Sequence, residues 1–171
     1  DLAVAFHKRG DATMIAALKE ADLSGLRFRD KVAFAVRLRI RAVDDKEAVR
    51  RGTALFALPH MATDGAKLIW GTADAIWNAL GDTSRDVNWY TKRLTLSGVY
   101  SSVVLFWLGD DSLDMQATDA FIDRRIDNVM QFEKFKAQAK ANPILKPFAD
   151  TLGRMTASVK APSKVQDIDL P

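Results

Sequence analysis

Apolar residues return at helical spacing along nearly the whole chain. Val4, Phe6, Met14, Ile15 and Leu18 predict a first helix over Leu2 to Ala21, closed by the turn Leu23-Ser24-Gly25. The next segment, Lys31 to about Val43 with Asp30 as its cap, fits two templates. Val32, Phe34, Val36, Leu38 and Ile40 alternate as in a strand, whereas Val32, Val36, Ile40 and Val43 form a helical stripe. The alanines and arginines between them favour helix. Asp44 and Asp45 open a helix that Pro59 stops after Leu58, and another runs from Ala62 to Leu80 before Gly81. Asp86 to Leu108 follows, with Gly109 as its C-cap. Asp114 to about Lys140 is a long charged amphipathic helix, broken at Asn142-Pro143, and a last helix from Ile144 to Val159 precedes a polar tail. Six or seven helices without a strand pair predict one all-α domain over residues 1–160 and a flexible tail over 161–171.

The charge-free run from Leu94 to Leu108 raises the question of a membrane span. Its 15 residues cover roughly 22 Å as a helix, short of the roughly 30 Å of a bilayer core. Ser97, Gly98, Ser101 and Ser102 lower its hydrophobicity further, so it is not read as a span. The chain opens on Asp1, and the following LAVAFHKRG is too short and charged for a signal-peptide core, so a preceding segment is expected to be missing.

Composition changes this picture little. Lys plus Arg is 25 against 22 Asp plus Glu, a net charge of +3 that permits an anionic partner without arguing for one. The absence of cysteine removes disulfides, thiolate metal sites and thiol catalysis. His7 and His60, the two histidines, fall in no Glu-x-x-His pair, and there is no Gly-rich phosphate loop or nucleophile elbow. The chain reads as a non-enzyme. Asp119, Asp123 and Asp127 share a helix face but interleave with Arg124 and Arg125, which reads as a solvated charged surface rather than a cation site. Arg37, Arg39 and Arg41 likewise read as surface cations, and no nucleic-acid partner is expected. Trp70 and Trp77, seven apart on one helix, read either as ordinary core or as the wall of an apolar cavity. Ile144, Leu145, Phe148, Leu152, Met155 and Val159 form the apolar stripe of the last helix, suited to packing on the body or to lying in a bilayer interface.

Leu58-Pro59-His60, Ala79-Leu80-Gly81-Asp82, Asn88-Trp89-Tyr90-Thr91-Lys92-Arg93 and DDSLDMQATDAFIDRRIDNVM together resemble the ninth ubiquinone-biosynthesis (Coq) protein and its bacterial relatives. The resemblance runs from about Asp1 to Val159 and is most specific at Trp-Tyr-Thr-Lys-Arg. It implies a TetR-like helical ligand domain that forms a homodimer through a four-helix bundle, here without its N-terminal helix-turn-helix. It also implies a non-catalytic accessory protein of ubiquinone biosynthesis, without a cofactor, that binds isoprenoid lipid or a quinone precursor. Such a protein presents these intermediates to the di-iron demethoxyubiquinone hydroxylase. The family's hydroxylase-binding patch maps to Trp89, Tyr90 and Arg93, and its membrane contact to Ile144, Leu145, Phe148, Leu152 and Met155. Pro147 makes the first turn of that last helix less regular than an ideal amphipathic helix. Helical facing adds Trp70, Trp77, Tyr100, Val104 and Trp107 as the expected lipid-binding wall. A peripheral position is implied, on the inner membrane of a bacterium or on the matrix side in mitochondria. The alternative is the ligand-sensing domain of a TetR-like transcription regulator, and a third possibility is a dimer module with a filled core.

Overall fold

In the computed structural model, residues 2–141, 150–151 and 154–162 are described, and among them every regular element is helical. The helices are α1 (Leu2–Glu20), α2 (Phe28–Arg41), α3 (Lys46–Phe56), α4 (Ala62–Ala79), α5 (Val87–Leu108) and α6 (Gln116–Ala141), with a 3-10 turn, Leu113–Met115, before α6. The alternating segment is therefore helix. Its side chains close two seams at once, because α2 packs against α1 on one side and α6 on the other. The α4–α5 hairpin completes the body, packing on α1 through α4 and on α6 through α5, and α3 lies across α4 and α5. Met14, Val36, Ile76, Val103 and Ile122 are fully buried where these helices meet.

The caps explain most boundaries. Asp45 accepts from the Ala48 amide and starts α3, and Asp86 accepts from the Asn88 amide and starts α5. Asp30 does not cap α2 as expected. The helix starts at Phe28, which leaves Asp30 in its first turn, paired with Arg27 at 2.8 Å and Arg29 at 2.7 Å, where a carboxylate complements the helix dipole. Gly109 does follow α5, but with φ −96° it is not left-handed; the glycine that needs that freedom is Gly81, at φ 78°.

The two charged stripes read as solvated surface instead pair with each other. Arg41 meets Asp119 at 2.7 Å, Arg37 meets Asp123 at 2.7 Å and Arg29 meets Asp127 at 2.7 Å, an antiparallel ladder between α2 and α6. Arg39 leaves the surface altogether, as described below. Half of the last predicted helix, residues 144–149 and 152–153, lies outside the described residues. Residues 154–156 are helical, and the chain then crosses the start of α5, where Ala161 N–H donates to the Arg85 carbonyl at 3.0 Å.

Candidate functional site

The end of α4 builds the aromatic patch. Gly81 in the left-handed region lets the Asp82 amide donate back to the Trp77 carbonyl at 2.9 Å, a Schellman closure. This turn drives the Asp82 carboxylate inward, where it is 2% exposed and lies 3.0 Å from Arg93 Nη1 and 2.9 Å from Lys92 Nζ. Burial alone would raise its pKa, but hydrogen bonds from Lys92, Arg93 and Ser84 outweigh it and hold the carboxyl well below the usual range. Asp74 and Asn78, one turn apart on α4, take the rest of the guanidinium: Nε donates to Asp74 at 2.6 Å and Nη2 to Asn78 at 3.3 Å.

Arg93 is thus 1% exposed, so of the three residues named for the partner patch it lies beneath the surface. Its chain folds under the first turn of α5, and the guanidinium lies 4.0 Å from the centre of the Trp89 ring while donating to the Trp89 carbonyl at 3.1 Å. Its role is to position Trp89. The indole is half-buried, edged by Tyr90 at 4.8 Å and Trp70 at 6.0 Å between ring centres. Tyr90 is also half-buried, and its hydroxyl donates to the Lys160 carbonyl at 3.3 Å, so residues 160–161 border the patch.

A second feature lies further along α5. A cavity of about 1000 Å³ opens between the start of α1, the end of α2, α3, the start of α4 and the middle of α5. Phe6, Ile40, Val49, Phe56, Ile69 and Val104 give it an apolar lining. Its size and character suit a ligand with a substantial apolar part. Tyr100, Val104 and Trp107, three of the residues named above for a lipid-binding wall, are part of its lining. Trp107 is steadied by its indole N–H, which donates to Met115 Sδ at 3.0 Å.

Trp70 and Trp77 do not line it. Seven residues separate them by about 10 Å along the helix, enough to give one face two sets of neighbours. Trp70 joins Trp89, while Trp77 stacks on Phe28 at 5.5 Å and donates to the Lys92 carbonyl at 3.1 Å. Of the expected membrane-facing residues, Ile144, Leu145, Phe148 and Leu152 lie outside the described residues, and Met155 is 74% exposed.

The polar wall of the cavity has no counterpart in the sequence reading. His7, one helical turn before Asp11, meets the Thr72 hydroxyl at 2.8 Å, and that hydroxyl donates to Asp11 at 2.8 Å. Asp11 also takes Arg39 Nε at 2.6 Å, and Arg39 Nη2 donates to the His7 carbonyl at 3.1 Å. Arg39 is 3% exposed, and Gly10 admits it: a Cβ at Gly10 would stand 2.6 Å from Nη1. Burial first, then Arg39, lowers the pKa of His7, against the opposing pull of Asp11, so the ring is neutral at pH 7. The His7-x-x-x-Asp11 spacing was the available signal; Arg39, set between other arginines, gave none.

Fold and site together define an all-α protein with an apolar cavity along one helix and an aromatic patch, set on a buried arginine, at that helix's start. Residues 62–133, which hold the whole α4–α5 hairpin, match the COQ9 family model. The chain is 32% identical over 145 residues to the probable ubiquinone biosynthesis protein coq9, mitochondrial, of Dictyostelium discoideum, covering 80% of this chain and 47% of that protein. It is 33% identical over 91 residues to the bovine (Bos taurus) ubiquinone biosynthesis protein COQ9, mitochondrial, covering 53% of this chain and 28% of that one. The human (Homo sapiens) protein of that name is 30% identical over 113 residues, covering 66% of this chain and 35% of its own length. The chain belongs to the COQ9 family. It spans less than half the length of these curated relatives.

Proposed function

We propose that this chain is a non-catalytic, lipid-binding accessory protein of ubiquinone biosynthesis, which holds an isoprenoid quinone intermediate and presents it to a membrane-associated hydroxylase. The observation that carries the reading is the apolar cavity of about 1000 Å³ in a chain of this family. A polyprenyl chain in water exposes apolar surface worth about 25 cal/mol per Å², and an apolar cavity removes that penalty during transfer. The relatives are named as mitochondrial ubiquinone biosynthesis proteins, which supports the same pathway here. No helix among the described residues is long and apolar enough to cross a membrane, and we assign membrane contact to the segment that includes the exposed Met155.

The partner surface is the half-buried Trp89 with Tyr90, held from beneath by Arg93. The finer architecture is a TetR-like dimer through α5 and α6; Leu94 at 66% exposed and Leu105 at 62% leave apolar surface on α5 for a second copy. Two measurements test the proposal. Mass spectrometry of lipids extracted from the purified protein, against a mock purification, should show isoprenoid quinones or precursors enriched; none bound, even after add-back, removes the carrier role. Trp89→Ala should weaken hydroxylase binding by about 2 kcal/mol or more while keeping bound lipid and the helical circular-dichroism signal. Undiminished binding would remove the patch from the interface.

A further inference from the structure

The cavity is apolar along most of its wall, but one part of its lining is polar: the half-buried His7 and the buried Arg39 and Tyr100. Asp11 and the His7 carbonyl take Nε and Nη2 of Arg39, and Thr72 bridges His7 to Asp11. Tyr100 has no such bond. It is 3% exposed, yet its hydroxyl makes no hydrogen bond to any described residue. It is not sealed in the packing as Ser97 Oγ is, so the oxygen borders open space, and the space its residue lines is the cavity. A buried hydroxyl nearly always has a partner, and here the vacancy faces the place where a ligand fits.

The charges narrow the class of ligand. Arg39 is matched by Asp11, the His7 ring is neutral, and burial pushes the Tyr100 phenol up to about 12, so it stays a donor. The polar wall therefore carries no net charge. An anionic headgroup would compete with Asp11 for Arg39 and gain little. At the opposite extreme of exposure, Asp45, Glu47 and Arg51 are solvent-facing members of the same lining and mark its rim.

We propose that the cavity takes its ligand head first: a neutral, oxygen-bearing headgroup (a phenol, quinone or alcohol) hydrogen-bonds the Tyr100 hydroxyl beside His7 and Arg39, and the apolar tail runs along the apolar lining towards the exposed rim at Glu47 and Arg51. This deepens the carrier reading of the same cavity and rests on it. The headgroup is then hidden while the ligand is carried, and release has to draw it out tail first.

The test uses delipidated protein and three probes of equal tail, 4-octylphenol, octylbenzene and octyl phosphate, with affinity read by tryptophan fluorescence and calorimetry. Wild type should bind 4-octylphenol about fivefold tighter than octylbenzene, the scale of one net hydrogen bond, and octyl phosphate most weakly. Tyr100→Phe should erase the phenol preference and leave octylbenzene affinity unchanged. The variant removes only an oxygen that no described residue bonds, so its Tm should match wild type, and the wild-type series stands without it. Equal phenol and hydrocarbon affinities, a preference that survives Tyr100→Phe, or octyl phosphate binding tightest would overturn the head-first orientation and leave the cavity reading standing. No binding of any probe to wild type would overturn both.

Discussion

Arg93 and Arg39 are both buried, both sit beside an aromatic ring and both are held by an aspartate, yet they do opposite things. Arg93 is nearly saturated: Asp74, Asp82, Asn78 and the Trp89 carbonyl take four of its five N–H groups, and its face supports Trp89 at 4.0 Å. Nearly all of its hydrogen-bonding capacity goes into fixing a shape that the surface displays. Arg39 has Asp11 and the His7 carbonyl, and the Tyr100 ring 5.6 Å away carries a hydroxyl with no described partner. A saturated polar cluster builds structure, whereas one with a vacancy beside a cavity is equipped to read a ligand. The difference lies in the surroundings of the two arginines, not in residue type.

Breaking the saturated cluster should have the largest effect. Arg93→Ala would leave the nearly inaccessible Asp82 carboxylate without its buried partner, a loss of about 3–5 kcal/mol measurable by urea denaturation. It should also loosen Trp89, seen as a shift of tryptophan emission. A loss below about 1 kcal/mol would mean that Lys92 alone can hold Asp82. On the other side, Gly10→Ala sharpens the contrast because two effects oppose. Alanine is better in a helix by about 1 kcal/mol, but its Cβ would force Arg39 off Asp11 from 2.6 Å. Overpacking should win, with a net loss of about 1–2 kcal/mol in thermal or urea unfolding. A gain in stability would show that Arg39 is free to move. The smallest change is expected at the partly exposed ladder, where Asp119→Asn should cost about 0.5–1 kcal/mol at low salt and almost nothing in 1 M NaCl. A salt-independent loss would place Asp119 with the buried clusters instead.

Much of the fold was legible, and particular residues show why. Asp45, Asp86 and Pro59 mark helix ends by local chemistry, which needs no tertiary information. The strand-like alternation in α2 was ambiguous because a helix buried on two sides loses its one-sided stripe. Of the five residues grouped by helical facing, Tyr100, Val104 and Trp107 share the cavity lining while Trp70 and Trp77 have other neighbours, since periodicity gives a direction and not a neighbour. The burial of Arg93 and Arg39 was the deeper miss. A cation among polar residues reads as surface unless its partners are known, and those partners come from other segments: Asp74 and Asp82 for one, Asp11 for the other. The Asp119 stripe failed for the same reason, with its arginines on α2.

The α2–α6 ladder has one more property, its degeneracy. Its aspartates recur every four residues, so sliding α6 by about 6 Å would set Asp123 against Arg41 and Asp127 against Arg37, and many of the ion pairs would re-form. Charge alone therefore does not fix the register of these helices. Apolar shape does: Ile122 and Ile126 are locked in the core, and Phe121 lies flat on Phe106 of α5 at 4.3 Å and 10°. The ladder acts as a low-friction rail, and the greasy layer beneath it is the detent that stops α6 in one place.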